Sequence, residues 1–302
     1  MKSKKIVQAI DDLNYEIIFN NVSYIYNLKT VYEVYALKEI FLKIKPKIIT
    51  AIIGSTGSGK STLIQHMNGL LIPSKGEIVI NNFKILASKK KIKDIKRLRK
   101  AIGVVFQFPE NQLFEDTVQK DIMFGSLNMG VSKNEALKKA KKYLSLVQMD
   151  LKYLNSSPFN LSGGQKRRVA IAGILALEGN TIILDEPTAG LDPDGEKSFL
   201  KMFKTFNVEN NKRIIFISHN MDHVLEIADD VIVMDKGKIK FHASPFEIFQ
   251  NKKLINDLNL KQPKIYRFIN KLKEKGFCFG DQKIKNINQL CNYLKNNINT
   301  KK

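Results

Sequence analysis

The chain has 302 residues, of which 43% are hydrophobic and 26% charged, a composition that excludes a disordered chain. At ~150 residues per domain the length predicts about two domains, with enough core to do without disulfides or a structural metal. No uncharged apolar run approaches the ~18 residues that cross a bilayer. Asp11, Asp12 and Glu16 interrupt the segment after the basic start Met1–Lys5, so no signal peptide is read there.

The net charge of +21 comes from 50 Lys and Arg against 29 Asp and Glu, and two segments hold most of it. Residues 89–100 carry eight basic residues and one acidic; residues 252–302 carry thirteen and three. Only six of the basic residues are Arg, whereas readers of nucleic acid favour Arg forks that grip base edges. The Lys excess reads as solvated faces, with attraction to anionic lipid head groups as the alternative. Cys278 and Cys291 stand thirteen apart with no CxxC or His cluster, and read as reduced thiols rather than metal ligands.

In chain order, residues 15–26 and 37–53 are rich in Ile, Val, Phe and Tyr and read as strands. Ile48–Ile53 is a continuous apolar run ending in Gly54, the pattern of a strand buried on both faces. A helix is expected from about Lys60 to Gly69, then a short strand over 76–80, a turn at Asn81 and Asn82, and a strand over 102–106. From Pro109 to Glu178 the pattern is mostly helical; Ala136, Leu137, Ala140, Leu144 and Val147 recur at helical spacing. Strands return at 181–185, 213–218 and 230–235, separated by helices over 193–206 and 221–228. That order predicts an α/β core with an inserted helical subdomain. After Pro245 the chain turns Lys- and Asn-rich, with helices expected at 263–275 and 287–296 in a small C-terminal appendage.

Three motifs carry the chemistry. Gly54-Ser55-Thr56-Gly57-Ser58-Gly59-Lys60-Ser61-Thr62 fits G-x-x-x-x-G-K-[ST] between an expected strand and helix. Its glycines let successive backbone N–H groups turn inward onto a phosphate, and the helix that follows presents its positive end to the same anion. Lys60 is placed to reach the β- and γ-phosphates and the Ser61 hydroxyl to ligate Mg²⁺. Thr181–Glu186 is an apolar strand that delivers two carboxylates to the sheet's carboxyl edge, Asp185 for Mg²⁺ and Glu186 as general base for an attacking water. Leu161-Ser162-Gly163-Gly164-Gln165 starts a third element, with Ser162 as N-cap of a helix to about Leu177. Its glycine-led tip is a second anion-facing surface about a hundred residues from the first.

In this order the three motifs resemble the nucleotide-binding subunit of an ABC transporter. Three smaller matches accompany them: Gln107 resembles the Q-loop glutamine, Ala189–Asp192 the D-loop, and His219 the switch histidine. Tyr26 resembles the aromatic that stacks on adenine, with Tyr24 and Tyr35 as alternatives. The resemblance covers roughly residues 14–250 and implies a P-loop NTPase core with an antiparallel β subdomain, a helical subdomain over about 109–178, and an appendage over 251–302. The stretches Phe106–Glu115, Gln65–Leu71, Ser157–Asn160 and Arg167–Gly173 are similar to the second of the two ATPases in energy-coupling factor (ECF) transporters. In that family the appendage helps pair the two ATPases. Lys47 and Ser55-Thr56 depart from the pattern, where relatives usually carry Gly and a His before the Thr; neither departure removes a chemical group.

The resemblance implies a head-to-tail dimer in which ATP on one subunit's phosphate loop is closed over by Ser162–Gln165 of the other. Asp192 couples the two sites, His219 contacts the γ-phosphate, and Gln107 senses it and joins Ser61 and Asp185 at Mg²⁺. The implied partners are a second ABC ATPase, a membrane coupling subunit and a substrate-specific membrane subunit, at the cytoplasmic face of the cell membrane. The implied cargo is a vitamin or a transition-metal ion. Residues 107–116 offer Phe108, Leu113 and Phe114 beside Glu110, Glu115 and Asp116, and are expected to form the groove that docks the membrane subunit. The rival readings are an ATPase of another ABC importer family, a nucleic-acid-associated ABC ATPase and a non-hydrolysing scaffold. One ATPase core, two Cys and no long heptad array argue against the nucleic-acid class. Lys60, Asp185, Glu186 and His219 argue against the scaffold.

Overall fold

The computed structural model describes residues 16–280 and 282–298. The basic start, residues 14–15 of the expected ATPase region and residues 281 and 299–302 of the appendage lie outside the described residues.

Strands β1 (Ile17–Tyr26), β2 (Val34–Ile44), β4 (Lys75–Ile80) and β5 (Phe83–Leu86) form an antiparallel sheet in the order β2-β1-β4-β5. Six further strands make the central sheet. They are β3 (Ile49–Gly54), β6 (Ile102–Val105), β7 (Thr181–Asp185), β8 (Arg213–Ile217), β9 (Asp230–Asp235) and β10 (Lys238–Ala243), in the order β10-β9-β3-β8-β7-β6. All its pairings are parallel except β9 with β10. Along β3, β7, β8 and β9, alternate residues enter two different cores. Ala51, Ile182, Phe216 and Val233 join the one shared with Ile122, Ala140 and Ile171 of the helical insert, while Ile52, Ile183, Ile215 and Ile232 join the one beneath the antiparallel sheet, with Leu63, Ile64 and Leu98. Burial on both faces explains the unbroken apolar runs; each buried Ile, Val or Phe contributes ~1.5–3 kcal/mol.

Helix α1 (Lys60–Met67) follows β3, and α2 (Ile95–Ala101) precedes β6. Then come α3 (Val118–Asn128), α4 (Lys133–Leu146) and α5 (Gly163–Leu175), packed together. Helices α6 (Pro193–Asn210) and α7 (Met221–Ile227) separate β7, β8 and β9. The chain continues through α8 (Pro245–Gln250), α9 (Lys252–Asp257), α10 (Lys264–Glu274) and α11 (Ile287–Ile298). Ile269, Phe279, Ile284 and Leu290 give the end of the chain a small core of its own.

The expected strand over 37–53 is two strands. The chain turns between Ile44 and Ile49, and Lys47 there has φ +60°, which brings β3 into the other sheet. Left-handed backbone favours glycine, so Lys47 holds this turn at some conformational cost. Strands β5 and β10 and helices α2, α8 and α9 were not anticipated. The pattern of β10 is hidden because it is an edge strand with mostly exposed side chains, held by its ladder to β9. The basic run 89–100 is anchored rather than loose: Ile92, Ile95 and Leu98 pack around Gly69 at the end of α1, and its eight Lys and Arg are exposed.

Candidate functional site: a nucleotide-binding edge

The central sheet's register assembles the site. Ile52 pairs with Ile217, Asp185 with Ile217, and Val105 with Leu184, all in parallel. The residues that leave β3, β8, β7 and β6 at their carboxyl ends are therefore neighbours along one edge: Gly54, Ser218-His219, Asp185-Glu186 and Phe106-Gln107. This is the edge where open α/β sheets bind ligands.

The loop after β3 needs glycine for two separate reasons. A Cβ on Gly54 would stand 2.1 Å from the Met234 carbonyl oxygen, and one on Gly59 would stand 2.5 Å from that of Ala36. Gly57 has open space around it but φ +78°, a left-handed turn that side chains resist. Lys60 is buried, and its Nζ donates to the carbonyl oxygens of Gly54 (2.9 Å) and Ser55 (2.8 Å). Burial lowers the Lys60 pKa, and the negative Glu186 and Asp185 oppose that shift. The ammonium is thus held over the loop where an anion gains most from it.

Asp185 and Ser61 meet in a hydrogen bond. Burial raises the Asp185 pKa and Glu186 adds to the rise, while Ser61 opposes it. A hydroxyl and a carboxylate side by side are hard oxygen donors of the kind that Mg²⁺ takes together with phosphate oxygens. Glu186 has φ +50°, a strained backbone of ~1–2 kcal/mol. Its N–H donates to the Ile217 carbonyl (3.2 Å), and its Oε1 lies 2.9 Å from His219 Nε2. The expected base and switch histidine are therefore in direct contact. Gln107 is exposed, just past β6. Tyr26 OH lies 3.3 Å from Thr62 Oγ1 on α1. Of the alternatives, Tyr24 sets its ring edge-on to the buried His66, and Tyr35 is exposed and stands beneath the Lys38 ammonium.

Ser162, Gly163, Gly164 and Gln165 stand at the start of α5. Ser162 Oγ accepts from Gln165 N (3.3 Å) and Gln165 Oε1 accepts from Ser162 N (3.0 Å), a complete capping box. Gln165 Nε2 donates to Tyr153 OH at 3.3 Å. Helix α5 packs on α3, α4 and β6. A Cβ on Gly163 or Gly164 would meet nothing within 4 Å, and neither residue needs a left-handed φ. The chain's own packing gives no reason for either glycine. Asp192 Oδ1 accepts from Gly195 N at 2.9 Å and caps α6. The fold thus gathers Gly54–Thr62, Asp185, Glu186 and His219, and leaves Ser162–Gln165 as a separate, open tip.

Three features were invisible in the sequence. The Arg167 guanidinium is buried, forks onto both carboxylate oxygens of Glu110, and donates to the Ala189 carbonyl oxygen. Burial raises the Glu110 pKa, but the hydrogen bonds outweigh it and the carboxyl ends below its usual range. Glu110 is therefore committed within the chain, and the docking groove expected to present it does not. Asp116 pairs with Lys120 at 2.9 Å, but its side chain stays exposed. What remains open is a groove of about 200 Å³ lined by Leu113, Phe114, Phe124, Ile174 and Leu177, with the Phe114 and Phe124 rings edge to face at 4.8 Å. His66 is the third feature, fully buried in α1.

Comparison with known proteins agrees with this geometry. The pattern of the ABC transporter family matches residues 37–189. The energy-coupling factor transporter ATP-binding protein EcfA2 of Spiroplasma kunkelii is 58% identical over 290 residues, 96% of this chain and 94% of that protein. The chain belongs to the ABC transporter family, among the ATP-binding proteins of energy-coupling factor transporters. EcfA2 of Enterococcus faecalis is 49% identical over 87% of this ABC chain and 91% of its own. Among solved structures, CbiO1 of Clostridium perfringens, part of the ABC transporter complex CbiONQ, superposes with TM-score 0.70 at 38% identity, covering 85% of this chain and 99% of its own. A dimeric ATP-binding cassette bound to ADP and Pi gives TM-score 0.68 at 28% identity, over 76% of this chain and 98% of its own. The ABC fold expected from the motifs, with its antiparallel sheet and helices inserted between β6 and β7, is the fold observed.

Proposed function

We propose that this chain is the ATP-hydrolysing subunit that powers an ECF-type importer of vitamins or transition-metal ions. The observation that carries this reading is a division of labour. One sheet edge holds a triphosphate cradle with its acid and base, while Ser162–Gln165, at the open start of α5, makes no hydrogen bond to that edge among the described residues.

In this reading the Gly54–Thr62 loop binds the phosphates through its N–H groups, Lys60 neutralises the β- and γ-phosphates, and Tyr26 stacks on the base. Ser61 and Asp185, with Gln107, would hold Mg²⁺, which supplies charge neutralisation on the phosphates when bound. Glu186 orients and deprotonates a water in line with the γ-phosphate, and His219 holds both Glu186 and that phosphate. Ser162–Gln165 of a second ABC ATPase closes over the site, excludes water and aims fixed dipoles at the charge that develops. Gly163 and Gly164 then lack side chains because that second surface, not their own fold, needs the room. Asp192 lies at the seam between the two subunits.

The reading places the ATPase region at 14–250 and has the basic appendage, 251–302, help pair the two ATPases. A membrane coupling subunit docks on the Phe114–Phe124 groove at the cytoplasmic face of the membrane, and a separate membrane subunit selects the cargo. The test is Glu186→Gln in the assembled transporter. ATP binding persists while turnover falls ~10²–10⁴-fold, the usual weight of one positioned base. Undiminished hydrolysis refutes the assignment of Glu186.

A further inference from the structure

We infer that Arg167 is a positioning residue for hydrolysis: one buried guanidinium fixes the Ser162–Gln165 tip, the segment after Gln107 and the D-loop relative to one another. This rests on the reading that the chain hydrolyses ATP in a closed dimer.

Three segments that never adjoin in sequence meet at this side chain. Arg167 stands two residues past Gln165, on the first turns of α5. Its Nε and Nη2 donate to Glu110 Oε2 (3.0 Å) and Oε1 (2.8 Å), a bidentate fork. Glu110 lies on the 3₁₀ turn Pro109–Gln112, three residues after Gln107 and beside Leu113 of the open groove. Its third bond, from Nη1 to the Ala189 carbonyl oxygen at 2.5 Å, reaches the turn that leads through Gly190 to Asp192. The Arg167 side chain is 4% exposed and that of Glu110 19%, so the pair is screened much less than a surface pair.

The geometry makes this more than packing. A planar fork transmits orientation as well as distance, which a point charge or an apolar contact does not. Ser162–Gln165 and Asp192 both act across the dimer seam in the proposed mechanism, yet sit on different elements, α5 and the start of α6. Arg167 is carried on α5 two residues past Gln165, and it hydrogen-bonds the Ala189 carbonyl three residues before Asp192. It also bonds the turn beside the groove, so a shift of Pro109–Gln112 passes to both. Arg168, the next residue, has a different task. It donates to the Val147 carbonyl oxygen and Ser198 Oγ and covers the Phe199 ring, which ties α5 to the end of α4 and to α6.

The experiment measures kcat and KM for ATP in the assembled transporter, with kcat counted per bound nucleotide so that unfolded molecules do not enter. Turnover by the unmodified complex is the control for the reading beneath it. Arg167→Gln keeps a donor and similar bulk; it is expected to lower kcat about 10- to 100-fold, the usual cost of misplacing a reacting group by ~1 Å, with KM within about twofold. Glu110→Gln is expected to act in the same direction. The double variant is expected to match the worse single, because the pair works as one unit. Arg167→Lys, with the charge but not the fork, recovers only part of the rate. Wild-type kcat per site in Arg167→Gln overturns the inference, as do fully multiplicative effects in the double variant or full rescue by Lys.

Discussion

His66 gives the fold a pH dependence that its structure sizes. The ring lies inside α1 with no exposure to solvent. Its Nδ1 donates to the Thr62 carbonyl oxygen at 2.7 Å, and Tyr24 packs edge-on against it. Its Nε2 is buried with no partner among the described residues, so a proton added there has nothing to bond. Burial lowers the pKa from 6.5 to about 4, against the opposing effect of the Thr62 bond. Below pH 6.5 the unfolded chain takes up a proton that the folded chain refuses until about pH 4. The stabilisation is complete above pH 6.5 and falls away as the pH drops toward 4. At 1.36 kcal/mol per pH unit the whole effect is about 3 kcal/mol, and about 2.5 kcal/mol of it is gone by pH 4.5. Urea unfolding of wild type and His66→Gln at pH 7.5 and pH 4.5 reads it directly. The wild type loses about 2.5 kcal/mol more than the variant over that interval. Parallel losses in the two proteins refute the reasoning.

Two further substitutions separate stability from activity. Gly164→Ala adds a methyl that meets nothing within 4 Å, so folding stability stays within about 0.5 kcal/mol of wild type or rises. ATP turnover in the assembled complex falls at least about tenfold, because the open side belongs to the closing partner; urea midpoints and a phosphate-release assay check both halves. Lys47→Gly relieves a φ of +60° and raises stability by about 0.5–1 kcal/mol in chemical denaturation, with turnover unchanged.

Where the sequence was legible, a local pattern coincided with a physical demand. The phosphate loop is such a case: a strand, a glycine turn and a helix are contiguous, and the turn's contacts with Met234 and Ala36 only sharpen why Gly54 and Gly59 stand there. Ile182–Leu184 announced a doubly buried strand, and the parallel register then placed Asp185 beside Ile217 and so near His219. The capping box was half visible: Ser162 was readable as a cap, while the return bond from Gln165 appears in the structure. The pairing of Arg167 with Glu110 spans 57 positions, and no periodicity in a single chain links them. Taken in isolation, residues 107–116 read as an apolar groove flanked by three available carboxylates, because sequence cannot tell a carboxylate that faces solvent from one already held by a buried guanidinium. Lys47 concealed the break between β2 and β3, since the apolar residues on both sides continue through a turn that only a positive φ completes.

The central claim is that the cradle at the sheet edge and the Ser162 tip meet one γ-phosphate across two subunits. Orthovanadate trapped in place of that phosphate cuts nearby backbone under ultraviolet light, so it reports which segments touch the site. In the assembled transporter with Mg²⁺ and ATP, the account predicts cleavage of this chain both within Gly54–Thr62 and at Ser162–Gln165. The isolated chain is predicted to be cut only within the loop. Loop cleavage without any cut at Ser162–Gln165 in the assembled complex would contradict it.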